Sequence, residues 1–314
     1  MDRIGIVLAL IVALCWGSAD IVATIAARRQ GTFITTLFSL LASSFILLLF
    51  GWFASPPLPA GNNPLSIISG LAPGLLVGLF AALGYFALYR GLELGPMAIV
   101  SPITAADGVV GALLAVLFLH NSLSVWQIGM MLLVFGGIVC ASFDPGEMRQ
   151  IIKAGGIAHL FKGGIWWGLL AMLAFGTMLF CIGFFSAVWG WYLPILYIRT
   201  IAALTLAIFA LWRLFRLRHT TKLVSAPSAK HPRPAFGSMG LAIVVGLLET
   251  IGLLIYSLDT QLASTSLASV LSSSWGIIPL VAGIVFFRER PLKQQTFGIA
   301  LVFGGLLLLA IKPV

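Results

Sequence analysis

Apolar residues fill this chain in blocks of roughly twenty, the length a helix needs to cross about 30 Å of hydrocarbon. Short polar stretches separate the blocks. Ten blocks qualify: Ile4–Ala26, Thr32–Phe53, Ser66–Arg90, Pro96–Leu119, Val125–Phe143, Gly163–Val188, Trp191–Trp212, Gly237–Leu258, Ala263–Phe287 and Gln295–Ile311. Lipid offers the backbone no hydrogen-bond partner, so each block is predicted to be a helix. The ten-residue alternation of a membrane barrel is absent. Three connections are longer. Ala54–Leu65 carries Pro56, Pro57, Pro59 and Pro64 and reads as a stiff loop. Asp144–Lys162 lies between the fifth and sixth blocks, and Arg213–Phe236 is polar and basic, the composition of a disordered segment.

The blocks repeat. Leu133 to Gly137 and Leu301 to Gly305 are identical, 168 residues apart. The same offset carries Ser101 onto Ser269, Thr104 onto Ser272, Gly108 onto Gly276, Asn121 onto Glu289 and Gln127 onto Gln295. Small and polar positions matching without a gap point to two halves, 1–143 and 163–314, joined by 144–162. Paired membrane repeats place a substrate site near the bilayer midplane, where the halves meet.

Composition supports a bilayer environment. Of 314 residues, 60% are hydrophobic and 9% charged, against about 25% charged in a soluble domain. Arg28 and Arg29 follow the first block in place of a cleavage site, so it reads as a retained span. Cys15, Cys140 and Cys181 lie in apolar blocks at no metal spacing and read as core residues. Of the 18 Lys and Arg residues, 15 fall on odd-numbered loops, two at the termini and one, Arg199, inside a block. That bias predicts odd loops in the cytoplasm and both termini outside. It also accounts for the net charge of +9 as topology signal and lipid headgroup contact, and excludes nucleic acid as a partner. Five spans per half is an odd number, so the halves have opposite orientation. The predicted fold is an all-α polytopic membrane protein, with ten transmembrane helices in two inverted five-helix repeats. Trp126, Trp166, Trp189 and Trp191 sit at block ends, where an aromatic belt is expected.

Several short motifs carry a family resemblance. Trp16-Gly17-Ser18 in the first block is echoed by Phe175-Gly176-Thr177 in the sixth. Ala87 to Leu92 leads through Gly95-Pro96-Met97 at the third connection. Phe287 to Leu292, followed by Leu301 to Gly305, closes the chain. In this order they resemble the EamA-type transporters of the drug/metabolite transporter superfamily. His120-Asn121-Ser122 departs from the Glu-Arg usual in the first half. The resemblance implies ten spans, inverted halves and a central cavity for a small polar metabolite. It also implies cytoplasmic termini, the opposite of the charge bias.

Ionisable groups inside a span cost about 2.5–3.5 kcal/mol on insertion scales, so each asks for a reason. Asp107 lies mid-block beside a stripe of small residues, Ser101, Thr104, Gly108 and Gly111. The ninth block repeats the stripe as Ser269, Ser272, Gly276 and Pro279. It reads either as close helix packing or as a cavity wall. Glu249 is the second mid-span carboxylate, and both are candidate proton-coupling groups. Asp20 sits one turn after Trp16, either in the core or near the headgroups beside Arg28. Arg199 suits a carboxylate partner, an anionic substrate or snorkelling to the interface. Trp16, Ser18, Tyr85, Tyr89, Tyr256 and Trp275 join Ser101, Thr104, Asp107, Glu249, Ser269 and Ser272 as the expected substrate-binding set. Asp107 corresponds to Trp275, so the halves offer different chemistry at one level. Glu289 and Arg290 suit an ion pair or a helix cap.

Enzymatic signals are poor. All four histidines lie in loops, and no metalloprotease, nucleophile or phosphate-loop motif is present. No enzymatic activity, cofactor or metal is expected. The expected function is a secondary transporter of the plasma membrane, monomeric or homodimeric, moving a small metabolite or drug-like amphiphile by alternating access. Export is favoured and proton coupling is a candidate. A lipid or lipid-linked carrier flippase and a non-transporting partner subunit are the alternatives.

Overall fold

A computed structural model describes residues 3–54, 64–119, 124–142, 163–220, 236–262 and 272–311. Every element among them is helical: α1 (Arg3–Gln30), α2 (Thr32–Ala54), α3 (Pro64–Leu94), α4 (Met97–Thr104), α5 (Asp107–Leu119), α6 (Val125–Ser142), α7 (Gly164–Trp189), α8 (Leu193–Thr220), α9 (Phe236–Leu262), a 3-10 turn (Ser273–Gly276), α10 (Ile277–Val285) and α11 (Lys293–Ile311). Each of the ten predicted blocks holds helix, and seven described segments are long and apolar enough to cross a membrane. The chain is a polytopic all-α membrane protein. Large apolar side chains such as Phe45, Trp52, Phe118 and Ile208 point outward, as lipid as solvent requires.

The predicted boundaries move in several places, and α3 and α9 run on to Leu94 and Leu262. α1 runs past Ala26 to Gln30 and takes Arg28 and Arg29 into its last turn, where the helix dipole favours cations. α8 continues past Trp212 to Thr220. Predicted span four is not one helix: Pro102 has no N–H for the carbonyl of Ala98, and the chain turns at Ala105–Ala106 before α5 begins at Asp107. Within predicted span nine, the 3-10 turn precedes α10, which contains Pro279, while residues 263–271, Ser269 included, lie outside the described set. Both broken spans are interrupted at one level, at the matching positions Asp107 and Trp275.

The packing is unchanged when the halves are exchanged. α1 packs on α9 as α7 packs on α3, and α2 lies on α9 as α8 lies on α3. α6 pairs with its counterpart α11. The closest approaches obey the same rule. A methyl group on Gly17 would fall 2.8 Å from the Trp275 carbonyl, and one on Gly176 2.7 Å from the Asp107 carbonyl. One on Gly84 would meet the Phe175 ring at 2.8 Å, and one on Gly252 the Trp16 ring at 2.6 Å. Gly17 corresponds to Gly176, Gly84 to Gly252, Trp16 to Phe175 and Asp107 to Trp275. Each contact is therefore the image of another through a pseudo-twofold. With five crossings per half, that axis lies in the membrane plane.

One end of the molecule carries a clasp between the halves. Arg28 donates to the carbonyls of Leu92 and Gly95 at 3.1 and 2.9 Å and pairs with Glu289 at 3.0 Å. Glu289 also accepts the backbone N–H of Ala98 at 2.7 Å. Arg288, at φ 54, takes the left-handed conformation in the turn that presents Glu289. Arg28, Leu92, Gly95 and Ala98 belong to the first half, Glu289 to the second.

Candidate functional site

A small cavity lies where the halves meet. Trp16 and Asp20 of α1, Tyr85 and Leu88 of α3, and Asp107 of α5 line it from the first half. Phe175, Met178 and Leu179 of α7, Glu249 of α9 and Trp275 of the 3-10 turn line it from the second. The two helix breaks place Asp107 and Trp275 on one wall. α1 and α7, related by the pseudo-twofold, supply Trp16 and Phe175 to it.

Its three carboxylates have different partners. Glu249 accepts the Tyr85 hydroxyl at 2.8 Å and the Arg199 guanidinium at 3.2 Å. Arg199 is 1% exposed and stands over the Tyr85 ring, 4.2 Å from its centroid. Asp20 accepts the Ser101 hydroxyl at 2.5 Å. Asp107 has the longest side-chain contact, from the Ser273 hydroxyl at 3.4 Å, besides the backbone N–H of Gly108 at the start of its own helix. Among the described residues, no Lys, Arg or His lines the cavity. A clustering of three or more acidic, His or Cys groups able to hold a metal ion does not occur among the described residues.

Of the residues predicted from sequence, the cavity gathers Trp16, Tyr85, Asp107, Glu249 and Trp275. The other described members stand behind or beside its wall. Tyr89 is fully buried next to Tyr85, with ring centroids 6.1 Å apart. Tyr256 donates to the Leu179 carbonyl at 3.3 Å and its ring supports Trp16. Ser18 is half-buried and outside the lining. Ser101 acts through Asp20. Thr104 donates to the carbonyl of Val100 at 3.0 Å, against Gly168 of α7, and Ser272 is buried beside the 3-10 turn. In the small-residue stripe, Gly276 lies against Ala105 and Pro102, which joins the two broken spans as close packing would. Trp189, expected in an interfacial belt, turns inward at 5% exposed and stacks on Phe185. Asp20 is 1% exposed, in the core rather than near headgroups, and Arg199 takes the carboxylate partner. Both had a signal, an ionisable residue in an apolar block, but depth along a block does not say which face it occupies. Glu289 takes the ion-pair option.

The EamA-like transporter family model matches residues 3–143 and again 162–311, nearly the whole chain in two copies. The chain belongs to the EamA-like transporter family. Both family matches contribute to the cavity of this EamA-like protein, the first through Asp107 and the second through Trp275. A solved crystal structure shares the fold of this EamA-like chain, with a TM-score of 0.63 and 15% identity over 98% of this chain and 97% of its own. No curated protein matches the sequence.

Proposed function

We propose that this EamA-like protein is a secondary transporter of the plasma membrane, moving a small solute by alternating access of its two halves around the cavity, in the direction of export. The carrying observation is the cavity itself, built equally from both halves at the breaks of two crossing helices, with two carboxylates, Asp20 and Asp107, that pair with no cation among the described residues. Rocking of one half on the other opens such a site to each side in turn without dismantling it. The Arg28–Glu289 clasp closes one end, and its opening accompanies exposure of the site there.

Proton exchange belongs to Asp107 in this reading. Glu249 keeps a fixed countercharge in Arg199, while Asp107 holds only neutral donors among the described residues. A proton and a solute that share Asp107 displace one another, which couples their movements.

Proteoliposomes loaded with a cell metabolite extract test this, with solute loss followed by mass spectrometry. Vesicles holding the protein should lose one or a few solutes faster than protein-free vesicles. Equal loss of every solute overturns the reading, and accelerated movement of a labelled phospholipid in its place identifies a flippase.

A further inference from the structure

We infer that the solute is a small organic ammonium ion with an apolar body and an acceptor atom, and that Asp107 is its counter-ion. This rests on the transporter reading and names the substrate class of the same cavity.

Charge comes first. Asp20, Asp107 and Glu249 face one cavity, and among the described residues only Arg199 balances them, so with all groups ionised the site carries an excess of two negative charges. An anion adds to that excess. A zwitterion brings a carboxylate for which the described lining offers no cation, because Arg199 is 1% exposed, outside the lining and paired with Glu249. A cation reduces the excess. Burial of unpaired charge is costly, so the ligand that supplies the missing countercharge is the one the cavity favours.

The partner contacts select which carboxylate it meets. Glu249 has a guanidinium, and Asp20 a hydroxyl at 2.5 Å. Asp107 has a hydroxyl at 3.4 Å. It is the carboxylate left with the weakest side-chain partner, at the helix break where the halves meet.

Two further observations point to a ligand. The indole N–H of Trp275, 3% exposed and on the cavity wall, has no hydrogen-bond partner among the described residues, whereas the Trp16 nitrogen packs against Gly252 of α9. The Trp275 N–H lies near Asp107 but closes no hydrogen bond with it. A buried donor of this kind is normally satisfied, and an acceptor atom on the ligand satisfies it. The remaining lining, Phe175, Met178, Leu88 and Leu179, takes an apolar body, and the aromatic rings attract a cation. The protein already contains the arrangement once: Arg199 rests on an aromatic face with a carboxylate beside it.

Tyramine, tyrosine and 3-(4-hydroxyphenyl)propionate share one body and present a cation, a zwitterion and an anion. Their binding to the full-length protein in lipid nanodiscs, measured by calorimetry, decides the class. Tyramine should bind at least tenfold more tightly than either carboxylate-bearing analogue. Asp107→Asn should weaken tyramine at least tenfold, and Asp107→Glu should retain it. Equal or tighter binding of tyrosine or the propionate overturns the proposal, as does tyramine binding unchanged by Asp107→Asn or undetectable in the wild type. If Asp107→Asn does not fold, the wild-type series alone decides. Solute loss from the extract-loaded vesicles is independent of this series, so transport of another class of solute leaves the transporter reading standing while the ammonium assignment falls.

Discussion

Arg199 and Glu249 are a charged pair taken out of water, and each is tolerated because of the other. Removal of one partner from such a pair leaves an uncompensated buried charge and costs about 3–5 kcal/mol. Arg199→Ala should therefore lower the unfolding temperature in nanodiscs sharply, while Arg199→Met combined with Glu249→Gln should recover most of the loss. An Arg199→Ala protein as stable as wild type would show that the pair contributes nothing. The same pair separates the two coupling candidates. Asp107→Asn should fold yet lose pH-gradient-driven accumulation in proteoliposomes, because its side-chain neighbours among the described residues, the Ser273 hydroxyl and the Trp275 indole, are neutral. Glu249→Gln should lose stability first, since it strands Arg199. Accumulation in Asp107→Asn equal to wild type would move coupling to Asp20. Residues of the site were legible where a costly group interrupts an apolar block, as with Asp107 and Glu249. Ser101 and Thr104 were not, because a small hydroxyl residue in a span has the same signature whether it lines a cavity or lets two helices touch.

The helices were legible as elements because lipid demands about twenty apolar residues for each crossing. Their interruptions were not. Pro102 and Pro279 sit in blocks long enough to read as one crossing each, and a proline in a membrane helix is tolerated where neighbours re-satisfy the freed carbonyl. The glycines that bring elements together are separable from those that do not. Gly17→Ala puts a methyl group 2.6 Å from the Ile278 Cβ and 2.8 Å from a carbonyl, so repacking should cost about 1–3 kcal/mol. At Gly129 in α6 an added Cβ meets no neighbour within 4 Å. Gly129→Ala should be neutral or stabilising by up to about 1 kcal/mol, through helix propensity. Thermal unfolding of the two variants side by side checks the contrast. A Gly17→Ala protein no less stable than Gly129→Ala would mean that α1 does not hold this distance from the second half.

At the scale of the whole molecule, the ordered match of Leu133–Gly137 with Leu301–Gly305 made the two-half design legible. The side of the membrane that each end faces rests on charge alone. The bias of Lys and Arg to odd loops places Arg290, exposed in the turn before α11, in the cytoplasm. Arg290→Cys should resist an impermeant maleimide in intact cells and react once they are opened. Ready labelling of intact cells would restore the arrangement usual in the family.

The clasp breaks the equivalence that the scaffold otherwise keeps. Glu289 corresponds to Asn121, and Arg28 to Ala187 by the offset that relates Gly17 to Gly176, so the first half has no acid and the sixth span no base to repeat the pair at the other end. The half-exposed ion pair contributes about 1 kcal/mol or less. The charge-assisted bond from Ala98 adds about 1.5–3 kcal/mol. Since about 1.4 kcal/mol is tenfold in an equilibrium, the clasp should shift the idle protein toward closure at the odd-loop face by about tenfold or more over a protein without it. Glu289→Gln should raise the reactivity of a cysteine placed at Ala98, and unchanged reactivity would assign the closure to packing alone. A solute arriving from the unclasped side meets the protein already in its resting posture. One arriving from the clasped side must wait for a spontaneous opening, so the two directions of travel start with different delays.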